Sequence, residues 1–211
     1  MLCAVLQLLL GTAAAAELTL TVRDANDQAV DGVVLIADPD AAADRRRSAR
    51  VAVMDQINMQ FVPDVLVIQS GSSVDFPNSD QIQHQVYSFS AAKKFQLSLY
   101  AGHKYPPVQF DRAGLVTVGC NIHDGMLAYI YVTDSPYFGK SDARGTLVLH
   151  DLPAGNYTLT AWHPQLQQGG SAAEQQHVTL AEGAHRELLF HLNRPIRMSL
   201  QHRESKKWLD Y

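Results

Sequence analysis

Three side chains able to hold a transition metal fall within one octapeptide. Gly119-Cys120-Asn121-Ile122-His123-Asp124-Gly125-Met126 carries a thiol, an imidazole and a thioether in the spacing C-x2-H-x2-M. A second imidazole, His84, lies upstream in Ile82-Gln83-His84-Gln85-Val86-Tyr87. A thiolate with two imidazoles and a weak thioether is the donor set of a trigonal copper centre, and the axial sulfur tunes its redox potential. The expectation is one copper ion per chain on His84, Cys120, His123 and Met126. Each residue alone has a plainer reading: a buried thiol, a surface histidine, a core methionine. Their conjunction in this order, on strands, is what points to a metal.

The cysteine usage supports that reading. There are two cysteines in 211 residues. Cys3 lies in an N-terminal stretch, Leu2–Leu10, that is apolar and followed by Ala14-Ala15-Ala16 before Glu17. This resembles a secretory signal with small residues for the peptidase, although the first residues hold no Lys or Arg. The rival is an uncleaved anchor, for which the run is short. Residues 1–16 are therefore expected to be removed and the protein to be periplasmic or secreted, with Cys120 its one thiol. Exported proteins usually pair their cysteines. Coordination explains a lone one, as does burial as a structural thiol.

The elements that must position these donors read as strands. Leu18, Leu20 and Val22 alternate with Thr19, Thr21 and Arg23, the period of a half-buried strand. Val33–Ile36 is a second strand, and residues 38–50, with four arginines and no large apolar residue, are an exposed linker. From Val51 short strands recur: Val65–Ile68, Val74 with Phe76, His84–Phe89, then Phe95, Leu97 and Leu99 alternating. Val116, Val118 and Cys120 share one face of a strand, and Met126, Ala128, Ile130 and Val132 share one face of the next. Further strands lie at 146–149, 157–162, 178–180 and 188–192, with a Gln- and Gly-rich loop at 165–176 and a basic tail at 194–211. Short strands at regular spacing, with no helical period, predict an all-β sandwich or barrel.

Several classes are excluded. The net charge of −4 comes from interspersed acids and bases, so no nucleic-acid surface is indicated. The apolar stretch 113–133 contains His123, Asp124 and three glycines, so it is no membrane span and no stable insertion is expected after signal removal. No His-x-His pair is present for a trinuclear copper cluster, and a single exported cysteine rules out a two-thiolate dinuclear centre. No G-x-S-x-G elbow or phosphate loop appears.

The His84-x-Val86 strand followed by C-x2-H-x2-M resembles the cupredoxins, and its short His123–Met126 gap resembles amicyanin more than plastocyanin. Phe61-Val-Pro63, Gly71, Val74 and the Asn78-x-Asp80 turn resemble that family's opening strands. Met54-Asp55-Gln56 through Pro136-Tyr137-Phe138 resembles cupredoxin-domain proteins of the methylamine-utilisation-like group. The resemblance implies a Greek-key cupredoxin sandwich or barrel over residues 51–134. It implies His84, Cys120 and His123 as equatorial ligands and Met126 as axial, with Gln85 and Asn121 bracing the site from outside. Ile122 and Asp124 stand where amicyanin has prolines, and Gly125 where relatives carry a bulky ring; a wetter mouth and a shifted potential would follow.

The flanks resemble something else. Asp24-x-x-Asp-Gln-x-Val-x-Gly at 17–50, and Asp142-x-x-Gly-x-Leu with Leu152-Pro-x-Gly-x-Tyr-x-Leu at 135–193, resemble a carboxypeptidase regulatory-like (transthyretin-like) domain. They would form one second, small β-sandwich with the cupredoxin inserted, and a sheet contact between residues near 20–36 and 157–190 would follow. The first functional expectation is a one-electron carrier with a protein redox partner, not an enzyme. The alternatives are a copper-binding or delivery protein and a structural β module with a non-redox metal site.

Overall fold

The computed structural model describes residues 14–40, 50–167 and 173–197. The expected signal segment through residue 13, Arg45–Arg47, and the tail beyond 197 lie outside the described residues.

Alternating side chains form the strands expected of them. β1 (Ala16–Arg23) buries Ala16, Leu18, Leu20 and Val22 and turns the intervening residues outward. β2 (Val34–Pro39) is buried on both faces, so it reads as a continuous apolar run. Ala16, the residue before the expected cleavage point, opens β1 and is buried.

The central segment supplies β3 (Val51–Val53), β4 (Asp55–Ile57), β5 (Gln60–Val62), β6 (Val65–Gln69) and β7 (Ser72–Asp75). It continues with β8 (His84–Phe89), β9 (Lys94–Tyr100), β10 (Val108–Phe110), β11 (Gly114–Gly119) and β12 (Leu127–Thr133). The described residues continue with β13 (Tyr137–Lys140), β14 (Thr146–Leu152), β15 (Gly155–Trp162), the single-turn α1 (Pro164–Gln167), β16 (Glu174–Leu180) and β17 (His185–His191).

Two sandwiches result. The central one faces a five-stranded sheet, β6-β12-β11-β8-β9, with a three-stranded one, β10-β7-β3, and adds the hairpin β4-β5. Phe61, Val74, Val86, Phe110, Val116 and Ile130 fill its core. The flanking one pairs β14-β1-β17 with β13-β2-β15-β16 around Leu18, Leu20, Leu35, Leu159 and Phe190. Segments from both ends of the sequence meet here: Glu17–Arg23 runs parallel to His185–His191, and Val34–Pro39 runs antiparallel to Tyr157–Trp162. The sheet contact expected across the central segment is thus present. No sheet closes on itself among the described residues, so the architecture is open sandwich and not barrel.

The sandwiches meet face to face. Val34, Ile36 and Trp162 of the flanking sheet pack on Val65, Val67, Leu115, Tyr129 and Tyr131 of the outer face of β6-β12-β11. Trp162 sits 5.6 Å from both tyrosine rings, edge-on to Tyr129 and tilted against Tyr131.

Two readings of the sequence need correction. Leu99 was expected to alternate inward with Phe95 and Leu97, but it is 45% exposed while Tyr100 is buried. The cause is a bulge: His84 pairs with Tyr100 and Val86 with Leu97, so β9 spends one extra residue between them and its parity flips. The expected loop at 165–176 is interrupted at both ends, because α1 takes Gln165 and β16 starts at Glu174. Among the described residues no helix is long and apolar enough to cross a membrane.

Candidate metal centre

Two adjacent strands and one loop deliver the donors. His84 opens β8 beside β11 and is completely buried. Cys120 follows the last residue of β11, and with Val116 and Val118 it faces the core, as the period-2 pattern predicted. The chain then turns: the Met126 N–H donates to the His123 carbonyl at 2.9 Å, closing a turn that holds these two residues together in the loop between β11 and β12. Met126 is buried in the same apolar cluster as Cys120. Asn121, Ile122, Asp124 and Gly125 are exposed.

The ligand atoms of His84, Cys120 and His123 all lie within 4.8 Å of one another. The Cys120 Sγ is 4.0 Å from His84 Nδ1. The two imidazoles meet edge-on, centroids 5.0 Å apart and planes at 70°. One ion at about 2.3 Å from a thiolate and about 2.0 Å from an imidazole spans a sulfur–nitrogen gap of at most about 4.3 Å. The observed gap fits. The more direct sign is His123 Nδ1, which is buried and has no hydrogen-bond partner. An orphaned buried nitrogen costs free energy unless something else occupies its lone pair. A thiolate and two imidazoles converging on one point are the soft and borderline donors that suit copper. Among the described residues this is the one group of three such donors whose ligand atoms converge.

An outer partner absent from the sequence reading fixes His84. Its Nε2 lies 2.7 Å from Asp80 Oδ2. A carboxylate only accepts, so Nε2 donates to it, and Nδ1 is the ring nitrogen left facing Cys120. The same carboxylate caps a hairpin: Asp80 Oδ1 accepts the Asn58 N–H at 2.6 Å and Oδ2 accepts the Met59 N–H at 2.8 Å. Asn58 and Met59 are the two left-handed residues (φ 53° and 58°) that turn β4 into β5, the twist a two-residue hairpin loop requires. Burial pushes the Asp80 carboxyl upward, but the donors from Met59, His84 and Asn58 outweigh it and hold the group below its ordinary value.

Asp80 is itself placed from below. Its N–H donates to Asn78 Oδ1 at 3.0 Å, and Asn78 Nδ2 donates to the carbonyls of Ile82 and Tyr100. The signal available in the sequence was a carboxylate four residues before the histidine, closing an Asn-x-Asp turn. Gln85 is buried beside His84, and Asn121 is exposed at the head of the loop.

Four other described histidines have partners away from this group. His150 and His185 flank the Glu17 carboxylate at 2.9 and 3.3 Å, and His103 approaches Asp75 at 2.9 Å. His163 Nδ1 accepts from the Gln165 N–H.

No protein-family model matches the chain. No curated protein matches it either. Solved structures resemble part of it. Amicyanin from Paracoccus versutus is 20% identical with a TM-score of 0.36, covering 47% of this chain and 97% of that one. A purple cupredoxin from Nitrosopumilus maritimus is 18% identical with a TM-score of 0.35, covering 39% of this chain and 99% of that one. A copper-containing nitrite reductase from Thermus scotoductus is 20% identical with a TM-score of 0.38 over 46% of this chain. The match spans a quarter of the length of the reductase. These are partial likenesses of fold between distantly similar chains.

Proposed function

We propose that the protein is an exported mononuclear copper protein that carries one electron at a time and catalyses no reaction of its own. The observation that carries the reading is the convergence of the unpartnered His123 Nδ1 with Cys120 Sγ and the oriented Nδ1 of His84. His84, Cys120 and His123 would hold one copper ion equatorially and Met126 would supply the axial sulfur, with Gln85 and Asn121 bracing the loop. When bound, the ion would supply a one-electron couple. The protein's part is to fix the donors beforehand, so that gaining or losing an electron demands little rearrangement.

The surroundings suit exchange with a protein redox partner. His123 is only half-buried, and Ile122 beside it is 48% exposed, so an apolar partner surface can approach the imidazole. The flanking strands are read as one regulatory-like (transthyretin-like) domain at 17–50 and 135–193, with the cupredoxin domain at 51–134 inserted. The pairing of β1 with β17 and of β2 with β15 supports that division. The resemblance of Met54–Phe138 to the methylamine-utilisation-like group makes a periplasmic redox chain the natural setting.

Copper delivery is the second reading, and one observation favours it: the mouth at Asn121–Gly125 is exposed, and nothing lies within 4 Å of the position a Cβ would take on Gly125. Copper(II) titration of the purified chain tests the first. An intense visible thiolate-to-copper band at one equivalent, absent in Cys120→Ser, is required; a folded protein that binds no copper, or binds it without that band, would falsify it. Reversible oxidation and reduction without copper loss then separates a carrier from a delivery protein.

A further inference from the structure

One rung of the flanking sandwich carries an imidazole, a carboxylate and an imidazole on three adjacent strands. Glu17 lies on β1, the middle strand of β14-β1-β17, and pairs in register with His185 of β17. On its other side the register with β14 shifts between the Leu18–Leu149 and Ala16–Leu152 pairs, so Glu17 faces His150 and Asp151 together. Asp151 is the extra residue and takes the left-handed backbone (φ 59°) that is uncommon outside glycine. Bulges of this kind re-aim the side chains beside them. Ala16 and Leu18 point into the core, so Glu17 projects from the opposite face of the sheet.

The three groups already touch. His150 Nδ1 lies 2.9 Å from Glu17 Oε2 and His185 Nδ1 lies 3.3 Å from Oε1, so each oxygen faces one ring. Two imidazoles and one carboxylate are a donor set that holds zinc and related divalent ions with a coordination position left for water. As they stand the rings flank the carboxylate, and the three ligand atoms have not closed on one point. Closing them costs little packing, because the side chains of His150 and His185 are 63% and 81% exposed. Two strand spacings separate their backbones by about 9–10 Å, a span that two imidazoles can bridge over the middle strand. Within three residues of the trio along the chain stand Asp151, Glu182 and Glu187 against Arg186 alone, a balance that favours an added cation.

We propose that His150, Glu17 and His185 form a second metal site, on the solvent face of the flanking sandwich, for a borderline divalent cation. Zinc(II) and copper(II) share the chemistry these donors suit, and the general affinity order places copper(II) above zinc(II). The ion enters as the two rings swing over β1. Its bonds to β14, β1 and β17 then clasp the strand pairing that joins the two ends of the sandwich. The site uses no sulfur and stands independently of the copper reading at Cys120.

Zinc(II) is the first probe, added to the full-length chain and followed by long-range proton–nitrogen spectra of the histidine rings. The rings of His150 and His185 should shift together and saturably. His185→Ala and Glu17→Gln, with circular dichroism unchanged, should each weaken that binding at least about tenfold, since even losing an outer partner of a ligand costs that much. Saturating zinc should raise the Tm of wild type more than that of the double variant His150→Ala/His185→Ala, because an ion bound only to the folded pairing stabilises it. Cys120→Ser should keep both ring shifts, which separates this site from the one at Cys120, and in that variant copper(II) should displace the zinc. Shifts confined to His84 and His123, movement of only one of the two rings, or equal zinc affinity in wild type and His185→Ala would overturn the site. The trio would then be an ion-paired row across three strands, and the copper reading would be untouched.

Discussion

Asp80 and His84 are held 2.7 Å apart, carboxylate to Nε2, and Oδ2 of that carboxylate also accepts the Met59 N–H at the tip of the β4–β5 hairpin. The hairpin, the carboxylate and the imidazole therefore form one chain of support ending at the donor nitrogen. Removing such a partner lowers metal affinity by about 10–100-fold. Asp80→Ala should show that loss in competition titrations against a chelator. Asp80→Asn, which keeps an acceptor oxygen, should lose less. Equal affinity in Asp80→Ala and wild type would mean that packing alone orients His84.

Gly125 has open space around it and an ordinary backbone conformation. Gly125→Phe should therefore fold with a stability within about 0.5 kcal/mol of wild type, as expected of a surface substitution. By covering the mouth beside His123 it should slow the transfer of copper to an external chelator. Unchanged release kinetics would show that the open loop does not control exchange.

Trp162 stands between Tyr129 and Tyr131 where the two sandwiches meet. Burial raises both phenols above their ordinary range, in line with an interface from which water is excluded. Trp162→Ala leaves a cavity there and should reduce unfolding free energy by about 3–5 kcal/mol. Trp162→Phe should recover part of that loss. Chemical denaturation followed by circular dichroism measures both, and a loss in Trp162→Ala below about 1 kcal/mol would mark the interface as incidental.

Asp24 ties the first turn to the end of the flanking sandwich. Its Oδ1 accepts the N–H groups of Asn26 and Gln28 at 2.8 and 3.0 Å, and Oδ2 accepts that of Ile196 at 3.0 Å. Burial pushes the carboxyl up, but these bonds outweigh it and its pKa lies below the ordinary 3.8. A depressed folded-state pKa contributes stability that is complete above the unfolded value and is lost as pH falls through the folded one. Thermal melts between about pH 5 and pH 2 should accordingly show a smaller acid-induced drop in Asp24→Asn than in wild type.

Much of this was legible because it is local. Period-2 alternation placed Leu18, Val116, Val118 and Ile130 inside without reference to any partner strand. The C-x2-H-x2-M spacing confined Cys120, His123 and Met126 to one loop. Leu99 was misplaced because a bulge in β9 is decided by the strand it faces. Asp80 was read only as part of the Asn78-x-Asp80 turn, because its support of His84 depends on a hairpin tip more than twenty residues away. Neither feature leaves a periodic trace. The closure of the flanking sandwich was legible only as a resemblance between two distant stretches, since pairing between chain ends has no signature in either end alone.

The parallel register of β1 with β17 sets the order in which the chain can fold. Glu17 and His185, which meet across that register, are 168 residues apart in sequence. β1 must wait for β17, and the wide loop that their pairing closes carries an entropic cost before any contact repays it. The central sandwich is complete in sequence by Thr133, so its core can assemble while β1 still lacks both neighbours. The donor residues thus belong to the part of the molecule able to fold first, and the outer strands close around it afterwards.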